Sequence, residues 1–221
     1  MLVTTGKILD DYDANQCTVY IVYGNLGYGK SSYSLKVLNE LYDTLDWEKL
    51  KTHIVYTKLE FLTKIKEQKT RDKVLVWDDA GIALFNLDTF DPLIKNVIKW
   101  FSVARTQFSG IILTTPTPMW IVKKVRCMPQ SVMIKITKSS GNKWDRTATA
   151  YRNWVSPDFK STGVKTIYED HFSCKLPDQL YKPYNLYREG YVHEIAEEID
   201  LALIKEQKRD KKERGETKKC D

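Results

Sequence analysis

Two spacings of apolar residues alternate along the first two thirds of the chain. Thr18–Tyr23 (TVYIVY) is a short β-branched and aromatic run and predicts a strand. After GNLGYGKSS, the residues Tyr33, Val37, Leu38, Leu41 and Leu45 recur at helical spacing and predict an amphipathic helix. His53–Tyr56 reads as a second, short strand. Thr57, with Glu60 three residues on, has the capping-box pattern that opens a helix. Val74–Asp78 (VLVWD) is almost wholly apolar, as a parallel strand covered on both faces should be. Leu93–Val103 predicts a helix, and Gly110–Thr115 (GIILTT) another buried strand, ended by Pro116 and Pro118. Strands alternating with helices predict an α/β fold, a three-layer core on a parallel sheet spanning residues 15–138.

The pattern changes after Val132–Ile136. Lys143–Val155 and Lys165–Lys175 read as strands joined by Gly- and Ser-containing turns, so residues 139–175 form a β-rich extension. A C-terminal helix is expected over 177–204, interrupted near Pro183. Core, extension and helix make one domain, 1–204. Residues 205–221 carry eight Lys or Arg against five Asp or Glu without apolar periodicity, and are expected to be disordered. No internal repeat is visible.

Composition narrows the class. The 221 residues are 42% hydrophobic and 29% charged, an ordinary globular balance. The longest apolar run, around Gly110–Leu113, is far short of the roughly 18 residues that span a membrane. MLVTTGKILDDYD lacks the basic and apolar regions of a secretory signal. A cytoplasmic protein without a membrane partner is expected, in the host cytoplasm if the chain is viral. The net charge of +6 permits contact with DNA without requiring it. Cys17, Cys127, Cys174 and Cys220 form no CxxC pair, and His171 with Cys174 has no second pair beside it. Idle thiols rather than a zinc site are expected.

One motif carries chemistry. Gly24-Asn25-Leu26-Gly27-Tyr28-Gly29-Lys30-Ser31, followed by Ser32, fits G-x-x-x-x-G-K-[ST], between a predicted strand and a predicted helix. Glycines let the backbone wrap so that successive N–H groups face phosphate oxygens, and the helix start adds its positive end. Lys30 then reaches the outer phosphates, and the Ser31 hydroxyl ligates Mg²⁺. Asp78, ending the VLVWD strand, is the natural partner of that metal through water. Asp79 is placed to orient or deprotonate an attacking water. Thr115, with Thr114 as the alternative, ends a buried strand where it can sense the γ-phosphate. Arg105 and Arg126 are each candidates to stabilise γ-phosphate charge from a neighbouring subunit.

These residues, in this order, resemble the additional-strand class of P-loop NTPases, which includes the AAA+, RecA and HerA/FtsK groups. In that class the sensor strand lies between the P-loop strand and the strand bearing the acidic pair. More narrowly, YGNLGYGKSSYSLKV, VWDDAGIAL, SGIILTTPTP and CKLPDQLYKPY resemble the DnaA-like P-loop ATPase of archaeal spindle-shaped viruses, the fuselloviruses, and related plasmids, over residues 18–200. The resemblance implies ATP and Mg²⁺ as cofactors, action on DNA in genome replication or packaging, and a homo-oligomer, with a hexamer as one form. It matches Lys30 and Ser31 to Walker A, Asp78 and Asp79 to Walker B, Thr115 to the first sensor and Arg126 to the arginine finger. The strands expected over 131–175 depart from the helical AAA+ lid and place the core nearer RecA or HerA/FtsK. Two other classes compete with a DNA-directed ATPase: an ATP-binding switch with little turnover, and a small-molecule kinase. Asp79 argues against the switch. The absence of an Arg-rich lid argues against the kinase.

Overall fold

The computed structural model describes residues 1–85, 91–158 and 160–217. In chain order the helices and strands are α1 (Val3–Asp13), β1 (Thr18–Tyr23), α2 (Lys30–Tyr42), α3 (Trp47–Leu50), β2 (Ile54–Val55), α4 (Lys58–Glu67), β3 (Asp72–Trp77), α5 (Ala80–Ala83), α6 (Pro92–Phe101), β4 (Phe108–Thr115), α7 (Lys123–Arg126), β5 (Ser131–Lys138), β6 (Asp145–Val155), β7 (Thr162–Ser173) and α8 (Asp178–Thr217). The strands form one sheet in the order β2-β3-β4-β1-β5-β6-β7. The first five run parallel, and β6 and β7 continue the sheet antiparallel. Strand β4 pairs with both β1 and β3, so the strand ending in Thr114 and Thr115 lies between the strand before the glycine loop and the strand before Asp78 and Asp79.

Alternation along the central strands explains the layers. Val19 and Ile21 of β1, Leu75 and Trp77 of β3, and Ile111 and Leu113 of β4 share one buried core with Phe61 of α4 and Ile94, Val97 and Phe101 of α6. Trp77 anchors it. Phe61 stacks on its ring at 4.2 Å, and its indole N–H donates to the Tyr56 carbonyl at 2.8 Å. The opposite face is covered by α1 and α2. A Cβ on Gly110 of β4 would lie 3.0 Å from Ile8 of α1, so that glycine lets α1 lie close against the sheet.

Two expectations are corrected. The core begins at residue 2 rather than 15, because Leu2, at the N-cap of α1, and Ile8 within it are buried. No apolar period marks α1, since polar contacts with distant elements hold it. Asp170 of β7 accepts from the Val3 and Thr4 N–H groups at 2.5 and 3.3 Å, meeting the open donors and positive end of the helix start. Asp170 also accepts from the Tyr33 hydroxyl at 2.6 Å, while the Thr4 hydroxyl lies 2.5 Å from Tyr33 and 2.8 Å from Tyr168. Burial first, then the Asp170 charge, holds the Tyr33 phenol well above its ordinary pKa, so Tyr33 serves as donor. At the other end Arg71 donates to the carbonyls of Asp11, Tyr12 and Gln16.

The second correction concerns the C-terminus. Residues 1–177 form one compact unit and 178–221 another, so the domain expected over 1–204 divides at the start of α8. Pro183 lies inside α8 and does not end it, and the helix continues past residue 204 to Thr217 instead of giving way to disorder. Lys, Glu, Gln and Arg in this stretch are strong helix formers, and Arg209 pairs with Glu206 at 3.7 Å one turn away. Cys220 and the rest of 218–221 lie outside the described residues.

Removing the Asp170 carboxylate takes the acceptor from two backbone donors and from a buried phenol that keeps only the Thr4 hydroxyl. Asp170→Ala should cost about 3 kcal/mol of unfolding free energy, whereas the exposed Asp10→Ala should stay within about 0.5 kcal/mol. Chemical denaturation of both variants beside the parent checks the difference.

Candidate functional site

The loop Gly24–Gly29 joins the C-terminal end of β1 to α2 and passes close to two other strands. Gly24 has φ +153° and would drive a Cβ to 2.7 Å from the Ile136 carbonyl oxygen of β5. Gly29, the residue before α2, is left-handed at φ +89°, and a Cβ there would sit 2.6 Å from Cys174 Cβ. Both positions therefore require glycine for backbone conformation and for space. Asn25, Leu26 and Gly27 form the exposed tip, while Tyr28, Ser31 and Ser32 are half-buried. The Lys30 side chain is buried and folds back over the loop, donating from Nζ to the Gly24 carbonyl at 2.9 Å and the Asn25 carbonyl at 3.2 Å.

Sheet order assembles the other half. Because β4 separates β1 from β3, the ends of β3 and β4 and the start of α2 meet above the sheet. Asp78, buried just past β3, accepts on Oδ1 from the Ser31 hydroxyl at 3.0 Å and from the Thr114 hydroxyl at 2.5 Å. The Asp79 N–H donates to the same Thr114 oxygen at 2.8 Å. Asp79 stands at φ 52°, ψ 30°, a left-handed conformation uncommon outside glycine, and leads directly into α5. One threonine thus ties both acidic residues to β4.

That threonine is Thr114, the alternative in the sequence reading, and not Thr115. Strand alternation turns the two side chains to opposite faces. The Thr115 hydroxyl donates to the Thr117 carbonyl at 2.9 Å and lies against Gly81, where any Cβ would collide with it. The arginines also fall elsewhere. Arg126 is half-buried and donates from Nη1 to the carbonyls of Pro118, Met119 and Ile121 at 3.4, 3.0 and 3.3 Å, so it closes a turn of its own chain. Arg105 is exposed just before β4, at the opposite end of that strand from the site. Eight strand residues separate the two ends, roughly 25 Å at 3.3 Å per residue.

One residue escaped the sequence reading. Arg146 of β6 is buried and donates from Nε to the Tyr28 carbonyl of the loop at 3.2 Å. Its signal was the period of two in DRTATAY, which puts Arg146 on the same buried face as Ala148 and Ala150. Lys138 of β5 adds a cation over the Tyr28 ring at 5.2 Å. Among the described residues no group of three or more His, Cys, Asp or Glu side chains could hold a metal ion, and no helix is long and apolar enough to cross a membrane. Burial, with the Asp11 charge second, pushes the Cys17 thiol up to about 12, which keeps it protonated and unreactive.

The oxygen set at Ser31 and Asp78 suits Mg²⁺, a hard cation that takes one or two protein oxygens and fills its other positions with water and phosphate. The glycine loop beside it, ending at a helix start with a lysine folded over it, suits a polyphosphate.

No family model matches the chain. Over 217 residues it is 28% identical to uncharacterized protein B-251 of Sulfolobus spindle-shape virus 1, covering 91% of this chain and 86% of the relative. Among solved structures it is similar to the genome packaging NTPase B204 from Sulfolobus turreted icosahedral virus 2 in complex with AMP, at 14% identity and a TM-score of 0.42, over 70% of this chain and 98% of that one. The N-terminal domain of zonular occludens toxin from Neisseria meningitidis aligns at 14% identity and a TM-score of 0.38, over 70% of this chain and 95% of that one.

If Thr114 rather than Thr115 supports the acidic pair, Thr114→Val should cost about 1–3 kcal/mol, because it leaves a buried carboxylate and the Asp79 N–H each short of a partner. In the same denaturation series, Thr115→Val should cost less, since only a loop carbonyl loses its donor.

Proposed function

We propose that this chain binds ATP with Mg²⁺ and hydrolyses it. The observation that carries the reading is the convergence of Ser31, Asp78 and Thr114 beside the glycine loop and Lys30. Loop N–H groups and the start of α2 hold the phosphates, and Lys30 exchanges its loop carbonyls for outer phosphate oxygens. Ser31 and Asp78 would hold Mg²⁺, which supplies charge neutralisation across the phosphates when bound. Asp79 orients and accepts a proton from the attacking water, and the Thr114 hydroxyl fixes its backbone for that task.

The setting we infer is a mobile genetic element of archaea, with DNA as the partner and a homo-oligomer as the working form. The sequence similarity to a spindle-shaped virus protein over most of both chains supports the setting. The basic excess beyond residue 204 supports DNA. With Arg126 engaged in its own turn, Arg105 becomes the arginine to act on a neighbouring subunit.

Lys30→Ala should weaken ATP binding by about 10- to 100-fold through loss of charged hydrogen bonds. Asp79→Asn should bind ATP as the parent does and lose roughly 10²- to 10⁴-fold in turnover. Calorimetric binding beside phosphate release separates the two, and normal turnover in Asp79→Asn would remove Asp79 from the catalytic role assigned to it. Turnover per subunit should also rise with protein concentration and on addition of duplex DNA. A rate flat in both removes the oligomer and the DNA partner from the reading.

A further inference from the structure

We propose that Arg146 is a positioning residue for the nucleotide loop, and that the β-rich extension exists in part to brace it. The proposal deepens the nucleotide-binding reading above and rests on it. A peptide unit is a rigid plane whose C=O and N–H point in opposite directions. For the Gly29 N–H to face into the loop, the Tyr28 carbonyl on the same plane must face out, and a carbonyl turned out of a loop needs a donor. Arg146 Nε is that donor, at 3.2 Å.

The arrangement differs from the one Lys30 makes. Lys30 also donates to loop carbonyls, but its ammonium is required by phosphate and must leave them. Arg146 has no such second duty. Its Nη1 donates to the carbonyls of Lys143 and Asp145, both at 2.8 Å, so the planar guanidinium is fixed on the β5–β6 turn and presents Nε to the loop. Around it, the end of β5 and the ends of both extension strands meet the loop. The Ile136 carbonyl of β5 abuts Gly24, Lys138 covers the Tyr28 ring, and Cys174 just past β7 abuts Gly29. Arg146 is paired across the sheet with the buried Phe172 of β7, whose ring packs on Tyr33 of α2 at 5.1 Å. The same strands therefore contact the loop and the helix that follows it. The structure assigns the extension a place in the nucleotide site itself.

The test compares Arg146→Lys and Arg146→Met with the parent. Arg146→Lys keeps the charge and the stem but loses the planar fork. Both variants should keep the parent's far-ultraviolet circular dichroism spectrum and lose about 10- to 100-fold in ATP affinity. KM should rise by a similar factor while kcat changes far less, the pattern of a group that sets ground-state binding. Arg146→Lys should recover little of the loss. A folded variant that binds ATP like the parent overturns the brace. A parent that fails to bind ATP overturns the nucleotide reading itself. Should neither variant fold, the parent decides alone. In ¹³C,¹⁵N-labelled protein, inorganic tripolyphosphate should shift the Gly29 amide resonance and leave the Tyr28 carbonyl resonance in place. A large Tyr28 carbonyl shift would show that the plane reorients on binding, and would contradict the proposal.

Discussion

The buried carboxylate of Asp78 is the constraint on which the arrangement turns. A carboxylate taken out of water is costly unless hydrogen bonds replace its hydration. Hydroxyls on two different elements contribute to that replacement, Ser31 at the start of α2 and Thr114 at the end of β4. Only a sheet with β4 between β1 and β3 brings those elements to one carboxylate. The cost of burying Asp78 is therefore offset only when the parallel core is correctly assembled. The group that demands correct assembly is also the one that would hold Mg²⁺.

Around that point the molecule combines strain and packing in a consistent way. Asp79 is left-handed, Gly24 and Gly29 have positive φ, and a buried ammonium rests on loop carbonyls. The left-handed aspartate and the buried ammonium are unfavourable alone, while the glycines admit a backbone that other residues would strain. Each is held by something rigid: Asp79 by Thr114, Gly24 by β5, and Gly29 by the segment after β7. The aromatic core around Trp77 and Phe61 supports the strand that ends at Asp78. On the other face, the Asp170–Tyr33–Thr4 contacts tie α1 and β7 to the helix that opens at Lys30.

What was legible in the sequence divides along physical lines. The parallel core was read from local signals: continuous apolar runs for β1, β3 and β4, the Thr57–Glu60 capping box, and the glycine loop. The capping box is present with both of its bonds. The contact between Ser31 and Asp78 follows from motif and strand end, which place the two without help from distant residues. Three things were not legible. Helix α1 is held by partners some 30 to 170 positions away, so no local period announced it. Choosing Thr114 over Thr115 depended on which side chain of β4 shares a face of the sheet with Asp78, a one-residue question that an all-buried strand leaves open. Arg126 read as a reaching arginine, while the 118–121 turn beside it supplied three carbonyls that no motif displays.

The central claim is that Ser31 and Asp78 form the metal half of a nucleotide site whose other half is the glycine loop and Lys30. It is tested most directly by a crystal structure with a non-hydrolysable ATP analogue and Mn²⁺, located by its anomalous scattering. The account predicts a single strong peak beside the Ser31 hydroxyl and the Asp78 carboxylate, with the triphosphate wrapped by residues 24–29 and Lys30 moved onto it. A triphosphate bound away from Lys30, or a metal peak remote from Ser31 and Asp78, would contradict it.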